Sequence, residues 1–158
     1  MKKLSLKSHY LLNKLKSNLE AFPDLKENDT VLVSVSGGVD SVALLVLLNE
    51  LGLFQLITVH INHKLRQESD FDEQFVRDTS RDLNIPFRSK SLDPKSKSRK
   101  QSLEEWGREE RYSFLKNTLT KDKGNWIMTA HHANDQAETV LMNLSRKSGV
   151  AGLRGISK

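Results

Sequence analysis

The chain has 158 residues, 37% hydrophobic and 28% charged, with a formal net charge of +5 at neutral pH. That length suits one domain with a buried core, and the longest apolar run, around Val42–Leu48, is far short of the roughly 18 residues that a membrane span needs. The absence of cysteine excludes disulfides, thiolate zinc sites, iron–sulfur clusters and cysteine nucleophiles, while the modest positive charge permits a nucleic-acid partner without establishing one.

Met1-Lys2-Lys3-Leu4 is basic, but Ser5, Lys7, Ser8 and His9 break any apolar signal segment, so the reading is a cytoplasmic protein. Leu4, Leu6, Tyr10, Leu11, Leu15 and Leu19 recur at helical spacing and predict an amphipathic helix that Phe22-Pro23 ends. Thr30–Val35 reads as a β-branched strand, followed by Gly37-Gly38, an apolar helix from about Asp40 to Leu51, and Gly52 as its C-cap. Gln55–Ile61 is a second strand. Asp70 with Glu73 fits a capping box opening a helix that carries Phe71, Phe75 and Leu83. Ile85–Ser91 is a third, partly charged strand, Ser102 and Glu105 open a helix to about Leu119, and Asn125–Ala130 is a fourth strand. Asn134 or Asp135 is expected to cap a last helix through about Arg146, with Gly149 ending it.

Strand and helix alternate, and connections of that length demand parallel pairing. The predicted fold class is therefore α/β, a doubly wound and mainly parallel sheet with helices on both faces. Such sheets bind ligands beyond the carboxyl ends of their strands, which brings residues 36–41, 60–66 and 131–138 into consideration.

Ser36-Gly37-Gly38-Val39-Asp40-Ser41 lies directly between the first strand and its helix. A phosphate chain needs inward backbone N–H groups, close approach without Cβ atoms, and a helix N-terminus behind it. Gly37 and Gly38 supply the approach, and Ser36 and Ser41 add hydroxyls. Asp40, itself an anion, suits Mg2+ or a substrate ammonium group instead. The competing reading is a Gly-Gly turn with Ser36 or Asp40 as an ordinary N-cap. The loop has neither the GKS/GKT ending of a Walker A motif nor the dinucleotide G-x-G-x-x-G pattern.

His131, Asp135 and Glu138, spaced i, i+4 and i+7, would share one helical face beside that loop, and paired carboxylates suit an ammonium substrate or a metal. A plain cap within a solvated loop is the alternative. Arg108 and Arg111, one turn apart, could each balance polyphosphate charge or pair with Glu104, Glu105 or Glu110. His60, Asn62, His63 and Arg66 fit either a site or loop capping. Arg88, Lys90, Lys95, Lys97, Arg99 and Lys100, against Asp93, form a basic stretch that could grip an RNA backbone or simply be solvated.

SGGVDS after a hydrophobic strand resembles the PP-loop of the N-type ATP pyrophosphatases, which split ATP into AMP and pyrophosphate and adenylate a substrate oxygen. Three further segments narrow the resemblance: Asn62-His63-Lys64-Leu65-Arg66, Arg108 to Tyr112 as R-x-x-R-Y, and His131 to Thr139 as H-x-x-x-D-x-x-E-T. With Gly152-Leu153-Arg154-Gly155 as a G-L-x-G tail, they are similar, in order, to the catalytic domain of the tRNA(Ile)-lysidine synthetase family from about residue 29 onward.

The resemblance implies one PP-loop domain over residues 1–158, an N-terminal helix over 1–22 and a catalytic core over 29–158. It implies ATP and Mg2+ as cofactors, a CAU-anticodon isoleucine tRNA and free L-lysine as partners, and no membrane. Monomer and homodimer both stay open. Ser36 to Ser41 would hold the phosphates, and Arg111 and His131 would stabilise phosphate or adenylate. Asp40, Asp135 and Glu138 would take the lysine ammonium or its proton. Asn134 stands where relatives often carry an acidic residue. Family members continue into tRNA-positioning domains, so full turnover is expected to need more chain than these 158 residues. The alternatives are another PP-loop tRNA modification such as cytidine or uridine thiolation, carboxylate amidation, and a non-enzymatic nucleotide-binding domain.

Overall fold

A computed structural model describes residues 6–64, 68–98, 100–133 and 136–143. In chain order the elements are α1 (Leu6–Leu19), β1 (Thr30–Ser34), α2 (Val39–Leu51), β2 (Gln55–Asn62), α3 (Ser69–Asp82), β3 (Phe87–Ser91), a 3-10 turn at Pro94–Ser96, α4 (Leu103–Lys121), β4 (Trp126–Ala133) and β5 (Gln136–Asn143). They build one sheet of order β3-β2-β1-β4-β5. β3, β2, β1 and β4 run parallel, and β5 pairs antiparallel with β4.

The period-2 alternation of the strands sorts the core into two layers. Val31, Val33 and Val35 point to one face, where they meet Leu44, Leu45 and Leu48 of α2, Leu15 and Leu19 of α1, and Val76 of α3. Leu32, Ile57, Val59 and Ile127 point to the other face and pack on Leu115 and Leu119 of α4. The expected α/β architecture with helices on both faces is therefore present. β1 lies between β2 and β4, buried on both faces, and its carboxyl end opens at the centre of the sheet edge.

Several local expectations hold. Gly52 ends α2 with a left-handed φ of 63°, its N–H bonding to the carbonyls of Leu48 and Asn49. Ser102 caps α4 by accepting the Glu105 N–H at 3.1 Å. α1 forms as the leucine spacing predicts, with its carboxyl half covered. Leu15 and Leu19 are buried, while Tyr10 is 65% exposed.

Others are corrected. Asp70 and Glu73 do not form a capping box. The N-cap of α3 is Glu68, without a side-chain cap, and Asp70 and Glu73 instead receive the buried amide of Asn62. The last helix expected from residues 134–146 is replaced, where the chain is described, by β5. Pairing from Trp126↔Asn143 to Ala133↔Gln136 satisfies the backbone of what would otherwise be the bare edge of β4. Thr139-Val140 favours a strand. Asn134, Asp135 and everything from Leu144 onward lie outside the described residues, including Gly149 and the G-L-x-G tail.

The basic stretch is corrected in part. Arg88 forks onto both carboxylate oxygens of Asp122 at 3.0 Å, and Lys90 bonds Glu110 at 2.7 Å, so two of its cations already serve β3–α4 packing. Lys97 donates to the carbonyls of Ser98 and Gln101. Arg99 lies outside the described residues.

Candidate functional site

The carboxyl ends of β1, β2 and β4 open into a cleft of about 390 Å³, walled also by the start of α3 and by Arg111 of α4. Its floor is the phosphate-type loop. Ser41, buried in the first turn of α2, donates from Oγ to the Gly38 carbonyl at 2.8 Å and accepts the Ser36 N–H at 3.1 Å. Ser36 Oγ lies 3.2 Å from that hydroxyl and accepts the Gly38 N–H at 3.3 Å. These bonds hold the loop in one shape before any ligand arrives.

Gly37 has a φ of +96°, and a Cβ there would stand 3.2 Å from the Asp72 Cβ, so only glycine meets both conditions without strain. The N-cap of α2 is Gly38, with no side-chain cap. The first intrahelical bond belongs to Val42, whose N–H reaches the Gly38 carbonyl at 3.1 Å. Ahead of it, the amides of Val39, Asp40 and Ser41 sit in the first turn, where the helix dipole favours an anion. An uncapped N-terminus behind two glycines and two hydroxyls fits a polyphosphate.

The β2 end is braced from α3. Asn62, 1% exposed, donates its amide N–H groups to Asp70 at 2.7 Å and Glu73 at 3.0 Å, while its Oδ1 accepts the Lys64 N–H at 3.0 Å. Lys64 also pairs with Asp70. Glu73 further accepts from Ser89 at 2.8 Å and Arg77 at 2.9 Å. Burial raises the Glu73 carboxyl, but the bonds from Asn62, Ser89 and Arg77 and the neighbouring His60 outweigh it and hold the group below the ordinary range.

His63, just past the end of β2, approaches α4 where Gly107 offers no side chain; a Cβ there would lie 3.3 Å from its Nδ1. Burial, then the Arg111 guanidinium and then His60, push the His63 pKa down, so the ring is neutral at physiological pH.

Of the residues singled out from sequence, Ser36, Ser41 and Arg111 line the same cleft, and Gly37, Gly38, Val39 and Asp40 form its loop and the first turn behind it. Arg111 is the cleft arginine; Arg108 is exposed and lies outside the lining. Thr129 and Ala130 bring β4 to the cleft, and His131 follows them along the strand. His131 and Glu138 are brought opposite one another as cross-strand register partners of β4 and β5, not as members of one helical face. Asp135 lies outside the described residues. His60, Asn62 and His63, which the sequence left between a site and loop capping, all line the cleft. Ser69 and Asp72 also line it and were missed, because only tertiary packing brings α3 to the loop.

Fold and cleft together define an α/β domain with a phosphate-type loop at the switch point, where the strand order proceeds outward to either side of β1. A family model described as a PP-loop domain matches residues 8–158, and the chain belongs to that family, which implies ATP as the nucleotide. A tRNA(Ile)-lysidine synthase of Petrotoga mobilis is 41% identical over 133 residues, 81% of this chain and 43% of that protein. One of Clostridium perfringens is 46% identical over 141 residues, 84% of this chain and 29% of that protein. The chain thus spans less than half the length of these curated relatives. Among solved structures, U34-tRNA thiolase NcsA from Methanococcus maripaludis superposes with a TM-score of 0.64, covering 77% of this chain and 45% of that one. At 15% identity that likeness concerns the fold alone.

Proposed function

We propose that this domain is the adenylating part of a tRNA(Ile)-lysidine synthase, joining free L-lysine to the wobble cytidine of a CAU-anticodon isoleucine tRNA. The observation that carries the reading is the convergence of the uncapped SGGVDS loop and Arg111 on one cleft, in a chain whose similar relatives include such synthases.

In this reading the amides and hydroxyls of Ser36 to Ser41 hold the phosphates of ATP, and Arg111 draws charge toward the α-phosphate. The cytidine O2 bonds to the α-phosphorus as the bond to pyrophosphate breaks. The lysine ε-amine then bonds to C2, and the C2–O2 bond breaks to release AMP. His131 stabilises phosphate or adenylate, while Asp40, Asp135 and Glu138 hold the lysine ammonium or take its proton. Mg2+ would neutralise pyrophosphate charge when bound with ATP. Among the described residues no group of three acidic or histidine side chains forms a metal cage. That suits an ion carried mainly by the phosphates. Among the described residues no helix is long and apolar enough to cross a membrane, in keeping with tRNA in the cytoplasm as the partner. The absence of cysteine disfavours a sulfur-carrying thiolase.

The test is to incubate the protein with Mg-ATP, bulk bacterial tRNA and lysine and to separate the nucleotides. AMP that requires both tRNA and lysine supports the reading. AMP that requires tRNA but ignores lysine refutes it in favour of another tRNA modification.

A further inference from the structure

The His60 ring is 2% exposed and forms part of the cleft wall. Its Nδ1 lies 2.8 Å from the Val35 carbonyl oxygen. A carbonyl only accepts, so Nδ1 carries the proton and the neutral ring presents a lone pair at Nε2. That Nε2 is buried and has no hydrogen-bond partner among the described residues. A buried acceptor left without a donor is costly, and such an atom in a ligand cleft calls for a partner brought by the ligand.

The neighbours do not supply that donor. Glu73 of α3 is a carboxylate already engaged by Asn62, Ser89 and Arg77. His63 also lines the cleft, and burial and the Arg111 guanidinium push its pKa down. A phosphate oxygen, like the Val35 carbonyl, only accepts, so it does not answer the Nε2 lone pair of this tautomer.

Position narrows the donor further. Ser34 of β1 is the register partner of Val59, the residue before His60, and β1 runs directly into the loop at Ser36. Neighbouring strands lie about 4.8 Å apart, so the ring stands one strand away from the phosphate loop. In a nucleotide with its phosphates on that loop, the ribose hydroxyls are the nearest neutral donors. The adenine amino group lies at the far end of the base.

We propose that His60 Nε2 accepts a hydrogen bond from a ribose hydroxyl of the bound nucleotide and is the sugar-recognition residue of the cleft. The proposal rests on the ATP reading of the same cleft. Binding of ATP, 2′-deoxy-ATP, 3′-deoxy-ATP and ITP is measured by calorimetry for the wild type, His60→Gln and His60→Leu. The wild type is expected to bind one of the deoxy nucleotides about tenfold more weakly than ATP, and ITP as tightly as ATP. His60→Leu should bind ATP at the deoxy level and lose the discrimination, whereas His60→Gln, whose amide oxygen accepts, should keep part of it.

Equal wild-type binding of ATP and both deoxy nucleotides overturns the proposal without any variant, so misfolding of His60→Leu cannot shelter it. Discrimination retained in His60→Leu also overturns it. A loss confined to ITP assigns the adenine amine instead and overturns the ribose assignment. Failure of the wild type to bind ATP at all is a different result, since it refutes the phosphate-loop reading itself.

Discussion

Replacing Gly37 by alanine tests the phosphate loop where its geometry is most demanding. The residue sits at φ +96°, and the added methyl would stand 3.2 Å from the Asp72 Cβ. A left-handed backbone costs a non-glycine residue about 1–2 kcal/mol. With the crowding against α3, the total strain comes to about 1–3 kcal/mol. It has two outlets. If the loop keeps its shape, the strain appears in folding, as a fall in Tm of roughly 2–12 °C for a domain of this size. If the loop relaxes away from Asp72, it appears in binding, as a loss of about 5- to 150-fold in ATP affinity. Thermal melting with and without ATP, together with calorimetric titration, reads both. Gly52→Ala is the control: its φ of +63° imposes the backbone cost, but nothing lies within 4 Å and the position is at the far end of α2. It should lower Tm by a few degrees and leave ATP affinity unchanged. Gly37→Ala with Tm and affinity both at wild-type values would refute the loop argument.

Arg111→Met is expected to weaken ATP binding by about 10- to 100-fold, the scale of one charge-assisted contact, while exposed Arg108→Met stays within about twofold in the same titration. Asn62→Leu leaves the Asp70 and Glu73 carboxylates and the Lys64 N–H without their buried amide partner, and should cost about 2–3 kcal/mol in urea unfolding. The depressed Glu73 carboxyl contributes stability that is complete above the ordinary glutamate value of 4.5 and is lost as pH falls through the lower folded value. Acid titration of Tm should therefore show a shallower fall in Asn62→Leu. His63 is also depressed, so the unfolded chain binds its proton first and stability declines as pH drops below 6.5 toward the folded value. His63→Gln should flatten that part of the Tm–pH curve.

What the sequence made legible was local. Thr30–Ser34, Gly37-Gly38 and the apolar helix to Gly52 carry strand, turn and C-cap in their own residues, and the structure follows them almost to the residue. The rest depended on partners distant in the chain. Asp70 and Glu73 have the spacing of a cap, but the buried amide of Asn62 bonds them both. Arg88 and Lys90 read as part of a free basic stretch until Asp122 and Glu110 of the α4 region meet them across the fold. His131, Asp135 and Glu138 have helical spacing, yet residues 136–143, Glu138 among them, pair as a strand on the open backbone edge of β4. That edge is a property of the assembled sheet. Of the cleft, the loop was visible through residue type, Arg111 through the R-x-x-R-Y resemblance, and His60 and His63 only as members of a strand end. Asp72 carried no local signal, because its place opposite Gly37 follows from how α3 packs.

The wobble-cytidine claim is tested most directly by supplying the protein with Mg-ATP, radiolabelled lysine and an isoleucine tRNA whose anticodon is CAU, alongside the same tRNA with uridine in place of the wobble cytidine. The account predicts that any label enters the CAU tRNA alone, with one AMP released for each lysine incorporated. Label in both tRNAs, or AMP released from the CAU tRNA with no lysine attached, would contradict it.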